Sequence, residues 1–439
     1  MSATVVETKP GAAVLPPSKS PVMDPGASSE PAADAAPLHQ PPPNGGLLAW
    51  LQVLGSFFCF MNTWGLINTF GAFQTYYSAN LLAHEPESTI AWIGSIQAFL
   101  LLASTLFMGP LCDLGYTRPQ FIICSVMAVF GLMMTSLCKE YWQFMLAQGI
   151  CMGIGFGGVF IPAVSIPSSY FTTKRAFALG VCASGSSFGG VIYPIIFHRL
   201  VPQIGFQWTT RVMAFIMLAT ILVSGSCMRV RVLPSQKRSF LDLSAFIKYP
   251  KFTLYNLACF FGFTGLYIPF FYVQQYAVDV AGVPSELAFY TLPILNAASL
   301  FGRIGPGFIA DKLGVLNTMF VCSGLSCVLA FCWIAIYSEP ALMVFCILYG
   351  FCSGTFVSLQ AATVAHLVPH MGFMGTWMGM CAFVSGLGLL VGTPIAGALL
   401  NVNWLALQCF CGSCIAVATL CIFGTYLVEH NVPVDEKGV

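Results

Sequence analysis

The sequence predicts an all-α membrane protein with twelve transmembrane helices, six on either side of a basic central connection. Three observations carry this. Of 439 residues, 57% are hydrophobic and only 8% are charged, against about a quarter charged in an ordinary soluble domain, so there is too little charge to coat an aqueous surface. Apolar runs long enough to cross a bilayer recur along the chain, and Lys and Arg collect on alternate connections between them. The runs are too long for β-barrel strands, which need only about ten residues.

In chain order, the first 44 residues are rich in Pro, Ala and Ser and poor in large apolar side chains. Such a segment buries too little apolar area to offset its ordering entropy, so residues 1–44 are expected to form a disordered tail. It lacks the basic n-region and apolar core of a secretory signal, which leaves the first span as the expected targeting signal. Spans are expected near 49–76, 90–112, 119–138, 142–167, 174–197, 208–228, 253–278, 287–310, 316–338, 341–365, 372–400 and 403–428. Internal Gly and Pro are tolerable there because neighbouring helices satisfy freed backbone groups. Most of the 18 cysteines, Cys59, Cys151, Cys259, Cys346 and Cys409 among them, fall inside these runs. They read as small packing residues, and no pair has zinc spacing backed by histidines, so neither metal nor cofactor is expected.

Orientation follows from the basic residues. With both termini cytoplasmic, the inner connections hold Arg118, Lys174, Arg175, Arg229, Arg231, Lys237, Arg238, Lys248, Lys251 and Lys312. The outer ones then hold Lys139, Arg199 and Arg211 beside Glu85, Glu87, Glu140, Asp279, Glu286 and Glu339, as the positive-inside rule requires. The expected domains are a bundle over 45–228, a basic cytoplasmic loop over 229–251, a second bundle over 252–430 and a cytoplasmic tail over 431–439.

The halves share a motif. Gly109 to Arg118 reads GPLCDLGYTR and Gly307 to Gly314 reads GFIADKLG, each with a glycine four residues before an aspartate. The glycine permits close helix approach; the aspartate, Asp113 or Asp311, can cap a neighbouring helix or pair with a cation. Glycines also recur every four residues at Gly149, Gly153 and Gly157 and at Gly350 and Gly354, and cluster at Gly185, Gly189 and Gly190. These small faces suit close packing and the sliding of helices.

The costliest residue is Arg303. It lies about 12 Å along the helix from the Asp311-Lys312 pair, near the middle of the hydrocarbon layer. An ionised guanidinium there costs about 3 kcal/mol or more, so by default it faces an interior pathway. Asn296 and Ser299 share its helix face at i, i+3, i+7 spacing. Its structural alternative is a partnership with Asp311 or with backbone carbonyls. Asn68, with Trp64 one turn earlier, either lines the same cavity or bonds a neighbouring helix. Phe356 and Gln360 share a face with Ser353, and Tyr272 and Gln275 share another; for both sets solute contact and plain packing remain open. His366 and His370 read as loop residues. No carboxylate lies deep in a span, so proton coupling would need a boundary group such as Asp113, His198, Asp311 or Glu429, or a proton carried by the solute.

The paired Gly-x-x-x-Asp loops resemble the signature of the major facilitator superfamily, with Leu114 where a basic residue usually follows the aspartate. The stretch Tyr170 to Gly185, YFTTKRAFALGVCASG, resembles the fifth-span hallmark of the monocarboxylate-porter branch. Asn44 to Trp50, NGGLLAW, is similar to the branch's motif before span one, with Asn44 in the acidic position, and Gly386 to Gly397 is similar to its eleventh span. The Asn44 variant and the Pro-rich tail look like the fungal members.

This resemblance implies two pseudo-symmetric six-helix bundles around an alternately exposed cavity, with Arg303 as the arginine that holds a substrate carboxylate. The candidate substrate contacts are thus Arg303, on the resemblance, and Ser299, Asn296, Asn68, Trp64, Phe356, Gln360, Tyr272 and Gln275, on the shared helix faces above; the motif loops make Asp113, Arg118, Lys174, Arg175, Asp311 and Lys312 candidates for gating. Ser299 and Asn68 stand where animal lactate carriers have an aspartate and a lysine. Gly149 and Ser186 replace the span-four arginine and span-five proline of proton-coupled exporters.

The expected function is therefore secondary or facilitated transport of a small organic solute, a monocarboxylate or other carboxylated metabolite. Efflux of a secondary metabolite is the alternative, and a non-transporting membrane sensor is an alternative of another class. The expected partners are that solute, the lipid bilayer and, as a candidate coupling ion, the proton; the chain is expected to be a monomer in the plasma membrane. A net charge of +1 argues against nucleic acid binding. No phosphate-binding Gly-x-x-x-x-Gly-Lys-Ser/Thr loop or paired buried carboxylates point to an ATPase or another enzyme.

Overall fold

The computed structural model describes residues 43–231, 245–369, 373–400 and 402–431. The expected tail through residue 42, the central stretch with Lys237 and Arg238, His370, and the terminal residues from 432 lie outside the described residues. Everything described is helix or a connection between helices, with no strand.

Ten long apolar helical runs are present among the described residues. Two of them, Thr89–Thr135 with 47 residues and Arg175–Cys227 with 53, would measure about 70 and 80 Å if straight, more than twice the hydrocarbon thickness. Each contains a glycine in the left-handed region, Gly115 at φ 93° and Gly205 at φ 76°. That conformation is cheap only for glycine, and it turns the chain back on itself. Dividing both runs there gives the twelve crossings anticipated from the sequence. Span 1 is Leu47–Asn68 continued by Phe70–Tyr76, span 2 Glu87–Leu111, span 3 Thr117–Thr135 and span 4 Tyr141–Tyr170. Spans 5 and 6 are the parts of Arg175–Cys227 before and after Gly205. Span 7 is Pro250–Leu266 continued by Ile268–Asp279, and spans 8 to 12 are Thr291–Leu313, Val315–Cys332, Glu339–Leu367, Met374–Leu400 and Trp404–Asn431.

Spans 1 and 7 occupy equivalent places in the two halves, and both are broken past their middles, at Thr69 and Tyr267. In span 1 the Thr69 hydroxyl donates to the Gly65 carbonyl at 2.8 Å and competes with the helix ladder. In span 7 the cause is Pro269, which has no N–H to give to the Gly265 carbonyl one turn earlier. That carbonyl accepts instead from the Tyr267 N–H and from the Cys411 thiol at 3.4 Å.

Within each half, span 1 packs on span 5 and span 8 on span 10; across the halves the main seams are span 2 against span 11 and span 5 against span 8. The glycine runs of spans 4 and 10 serve the intra-half contacts: Gly157 meets span 2 and Gly350 meets span 8. Close backbone approach between the halves is made at other glycines. A Cβ on Gly109 would stand 2.2 Å from the Gly375 carbonyl oxygen, and one on Gly180 would stand 2.2 Å from that of Arg303. These two positions let the halves touch backbone to backbone.

Candidate solute site and gates

Arg303 leaves span 8 next to its seam with span 5 and is only 2% exposed. Its Nη1 donates to the Ala183 carbonyl at 2.8 Å and to the Ser186 hydroxyl, and its Nε donates to Ser299 Oγ at 3.3 Å. Nη2 has no hydrogen-bond partner, and no carboxylate pairs with the guanidinium among the described residues. The expected same-face neighbour Ser299 is therefore a direct contact. The alternative partner Asp311 is not one, because both its oxygens are engaged with span 5; the alternative of backbone carbonyls holds at Ala183.

Two turns above Arg303, the halves meet through amides. Asn68 Nδ2 donates to Asn296 Oδ1 at 3.3 Å, while Asn296 Nδ2 is tied to the Leu292 carbonyl at 3.1 Å. Trp64 stacks on Tyr267 across the same boundary, with ring centroids 5.8 Å apart and planes 21° apart. Tyr267 went unnoticed in the sequence, where only the nearby Pro269 hints at the helix break in which it sits. Ser186, singled out only as a replaced proline, is a second unanticipated contact of the arginine.

Beyond this layer a cavity of about 390 Å³ opens between the halves. Span 1 lines it with Asn68 and Gln74, the segment Tyr77–Leu81 that continues span 1 with Ser78, and span 7 with Tyr267, Gln275 and Asp279. Arg303, Ser299 and Trp64 lie below its floor, sealed by the ring stack and the asparagine pair. Of the remaining expected contacts, Gln275 is exposed in the cavity, whereas Tyr272 turns away and donates to the Thr393 carbonyl of span 11 at 3.2 Å. Phe356 is fully buried against Gly262 and Phe263, and Gln360 donates to Ser385 Oγ at 2.7 Å. Both face the interior of the C-terminal half in this structure.

The opposite end is held by two equivalent latches. Asp113, in the connection between spans 2 and 3, accepts from the backbone N–H groups of Gly375 (2.9 Å) and Thr376 (2.6 Å) and from the Thr376 hydroxyl. Asp311, at the foot of span 8, accepts from the N–H groups of Ala176 and Phe177, each at 2.9 Å. A helix N-terminus leaves its first four N–H groups unpaired and carries a positive partial charge, so a carboxylate from the other half satisfies both needs. Of the two sequence readings of these aspartates, capping is the one realised. Burial raises the Asp113 carboxyl to about 6, an effect its hydrogen bonds from Thr376 and Gly375 only partly offset.

The basic members of the motifs behave differently. Arg175 donates to the Phe171 carbonyl at 3.0 Å and, across the halves, to that of Ala365 at 3.4 Å. Lys312 lies 4.3 Å over the Phe308 ring, while Arg118 and Lys174 are exposed. Asn44 ties the start of span 1 to the connection before span 5: its Oδ1 accepts from the Thr172 hydroxyl and from the Thr173 N–H. His366, expected in a loop, belongs to the last turn of span 10 and pairs with Glu429 at 2.8 Å. His198 stacks on Phe289 of the other half with centroids 4.6 Å apart.

Two six-span halves, latched at one end and parted by a cavity at the other around a buried cation, define a membrane carrier of the alternating-access class. The chain belongs to the Major Facilitator Superfamily, whose profile matches residues 53–385 and 297–438. It is 43% identical over 385 residues to the MFS-type transporter dbaD of Emericella nidulans, covering 86% of each chain. It is 39% identical over 399 residues to the aspyridones efflux protein apdF of the same organism, covering 90% of this chain and 81% of that one. Among solved structures, the human organic anion transporter MFSD10 superposes with a TM-score of 0.65 at 15% identity, over 86% of this chain and 98% of that chain. The protein is thus a multi-pass membrane transporter of small solutes and not an enzyme.

Proposed function

We propose that this transporter exports an organic anion, a carboxylated secondary metabolite with an apolar or aromatic body, and that Arg303 receives its carboxylate. The observation that carries the reading is the Arg303 guanidinium: buried, unpaired with any carboxylate among the described residues, and with Nη2 unpartnered. A buried arginine without a counter-ion is stabilised when an anion arrives, and its planar fork fits a carboxylate. The Trp64–Tyr267 stack beside it offers an apolar face, and both must part to admit solute. A cavity of about 390 Å³ falls in the range of sites for drug-sized ligands.

Export is favoured by the likeness to the aspyridones efflux protein apdF. The monocarboxylate-porter branch, supported by the fifth-span motif, remains the subfamily reading. Basic connections at the latched end, including Arg118, Arg175, Lys248 and Lys312, favour a cytoplasmic latch with both termini inside. In this reading the halves over 45–228 and 252–430 rock about the Arg303 layer in a plasma-membrane monomer. With no carboxylate beside Arg303 among the described residues, the solute's own carboxylate supplies the counter-charge to the guanidinium.

The test is efflux and uptake of labelled carboxylates and aromatic metabolites in proteoliposomes, with and without a pH gradient. Arg303→Ala and Arg303→Lys should lower anion transport at least ten-fold, with Lys the milder because it keeps charge without the fork. Anion transport that survives Arg303→Ala unchanged would overturn the assignment.

A further inference from the structure

Spans 3, 4 and 6 enclose a second space that has no part in the solute pathway. It is an apolar groove of about 710 Å³, lined by Phe121, Ile122 and Val126 of span 3, Pro162 of span 4, and Leu222 and Gly225 of span 6. Ile122, Val126 and Leu222 are each more than half exposed, so the groove opens sideways onto the bilayer. Its shape limits the occupant. Along span 3 it runs from Arg118 to Phe130, about 18 Å of helix, close to the thickness of a single leaflet's hydrocarbon and well short of a full crossing. A transmembrane helix of another chain would need twice that length.

The mouth is basic. Arg118 stands at the end of the groove, exposed and without a hydrogen-bond or ion-pair partner among the described residues. Arg229, next to the lining residues Met228 and Val230, is also exposed. Farther in, Ser125 lines the groove with a buried hydroxyl that has no hydrogen-bond partner. It lies two turns, about 10 Å, along the helix from Arg118, at the depth of an acyl chain below its headgroup. Gly225 keeps the space open: a Cβ there would meet only the Phe121 ring, at 3.4 Å.

We propose that this groove is a binding site for one acyl chain of an anionic glycerophospholipid from the leaflet at the latched end, with its phosphate held at Arg118. The chain fills the apolar trough, and the headgroup charge complements the basic mouth. Arg118 belongs to the same connection as the latch residue Asp113, so the lipid supports the connection from the bilayer side.

The test uses the purified full-length protein exchanged into detergent with equal amounts of phosphatidylserine and phosphatidylcholine, read by native mass spectrometry. One phosphatidylserine should stay bound in preference to phosphatidylcholine. Arg118→Gln should lower its retention about five-fold, the effect of one basic residue near an anionic surface. Gly225→Leu, which places a side chain in the trough, should abolish retention of both lipids, and Lys139→Gln at the other end should change nothing. Thermal unfolding of each variant checks that it is folded, and Ile122→Trp replaces Gly225→Leu if the latter is not. Equal retention of the two lipids, retention unaffected by Arg118→Gln, or a second protein copy in place of lipid would overturn the proposal.

Discussion

Replacing Asp311 by alanine tests how the two halves are held at the latched end. Ala176 and Phe177 lie in the first turn of span 5, where no helical carbonyl is available, and the Asp311 carboxylate accepts from both N–H groups at 2.9 Å. A hydrogen bond to a charged group contributes about 1.5–3 kcal/mol. Asp311 is only half-buried, so about 1 kcal/mol for each is the fitting figure, and losing both removes about 2 kcal/mol from the closed latch. At 1.36 kcal/mol per factor of ten, opening becomes about 30-fold more frequent. Hydrogen–deuterium exchange in nanodiscs reads this directly: amides at Ala176 and Phe177 should exchange about 30-fold faster in Asp311→Ala. Exchange at these two amides that stays at the wild-type rate would refute the capping argument, whatever happened to transport.

Asp113 should make the other latch sensitive to pH. Its carboxyl is raised to about 6 by burial, so the closed latch binds a proton more tightly than a hydrated, open one; closure is favoured as pH falls from 7 through 6 and the preference is lost as pH rises again. Intrinsic-rate-corrected exchange at Gly375 and Thr376 should slow across that window, and Asp113→Asn should remove the dependence. Ser299→Asp would place a carboxylate against the Arg303 Nε, now 3.3 Å from the serine hydroxyl; anion transport should fall at least ten-fold and retain no dependence on Arg303. Gly180→Leu should block transport with the protein still in the membrane, because a Cβ at 2.2 Å from the Arg303 carbonyl oxygen wedges the span 5–span 8 seam; full transport by this variant would remove the seam from the mechanism.

Why some features were legible in the sequence and others were not is a matter of range. Span positions are legible because each needs only a local apolar run, and the reversals at Gly115 and Gly205 fall in the short gaps between runs. Arg303 is legible because a lone charge is conspicuous in hydrocarbon. Its neighbour Ser299 follows from helical spacing, but Ser186 does not, since it arrives from a different helix 117 positions away. The same limit explains Tyr272, Phe356 and Gln360. Periodicity states which residues share a face, while the direction of that face depends on how spans 7, 10 and 11 pack. Gln360 thus finds Ser385 and the sulfurs of Cys259 and Cys381 in its own half. Tyr267 is visible only through the helix break, which depends on Pro269 and on a partner stack from span 1.

The two repeated loops also differ in a way the structure makes intelligible. The residue after the aspartate is Leu114 in one loop and Lys312 in the other, which looks at first like the loss of an ion pair from the first latch. Yet among the described residues neither aspartate makes an ion pair, although Arg175 bears electrostatically on Asp311. Asp113 and Asp311 each face backbone N–H groups at the start of a helix from the other half, and Lys312 lies over the Phe308 ring instead. Because the cap is supplied by backbone and helix dipole, the following side chain is free to vary, while the aspartate and the glycine four residues before it are not: Gly109 brings span 2 against the Gly375 carbonyl that precedes the capped Thr376. The latches are therefore symmetric where motion demands it. The layer proposed for recognition is not: among the described residues its one cation, Arg303, comes from span 8, and span 1 contributes the neutral Asn68 and Trp64. An anion bound there interacts with charge from one half and with amide and ring from the other, so its binding energy bears on how the halves are disposed as well as on what is bound.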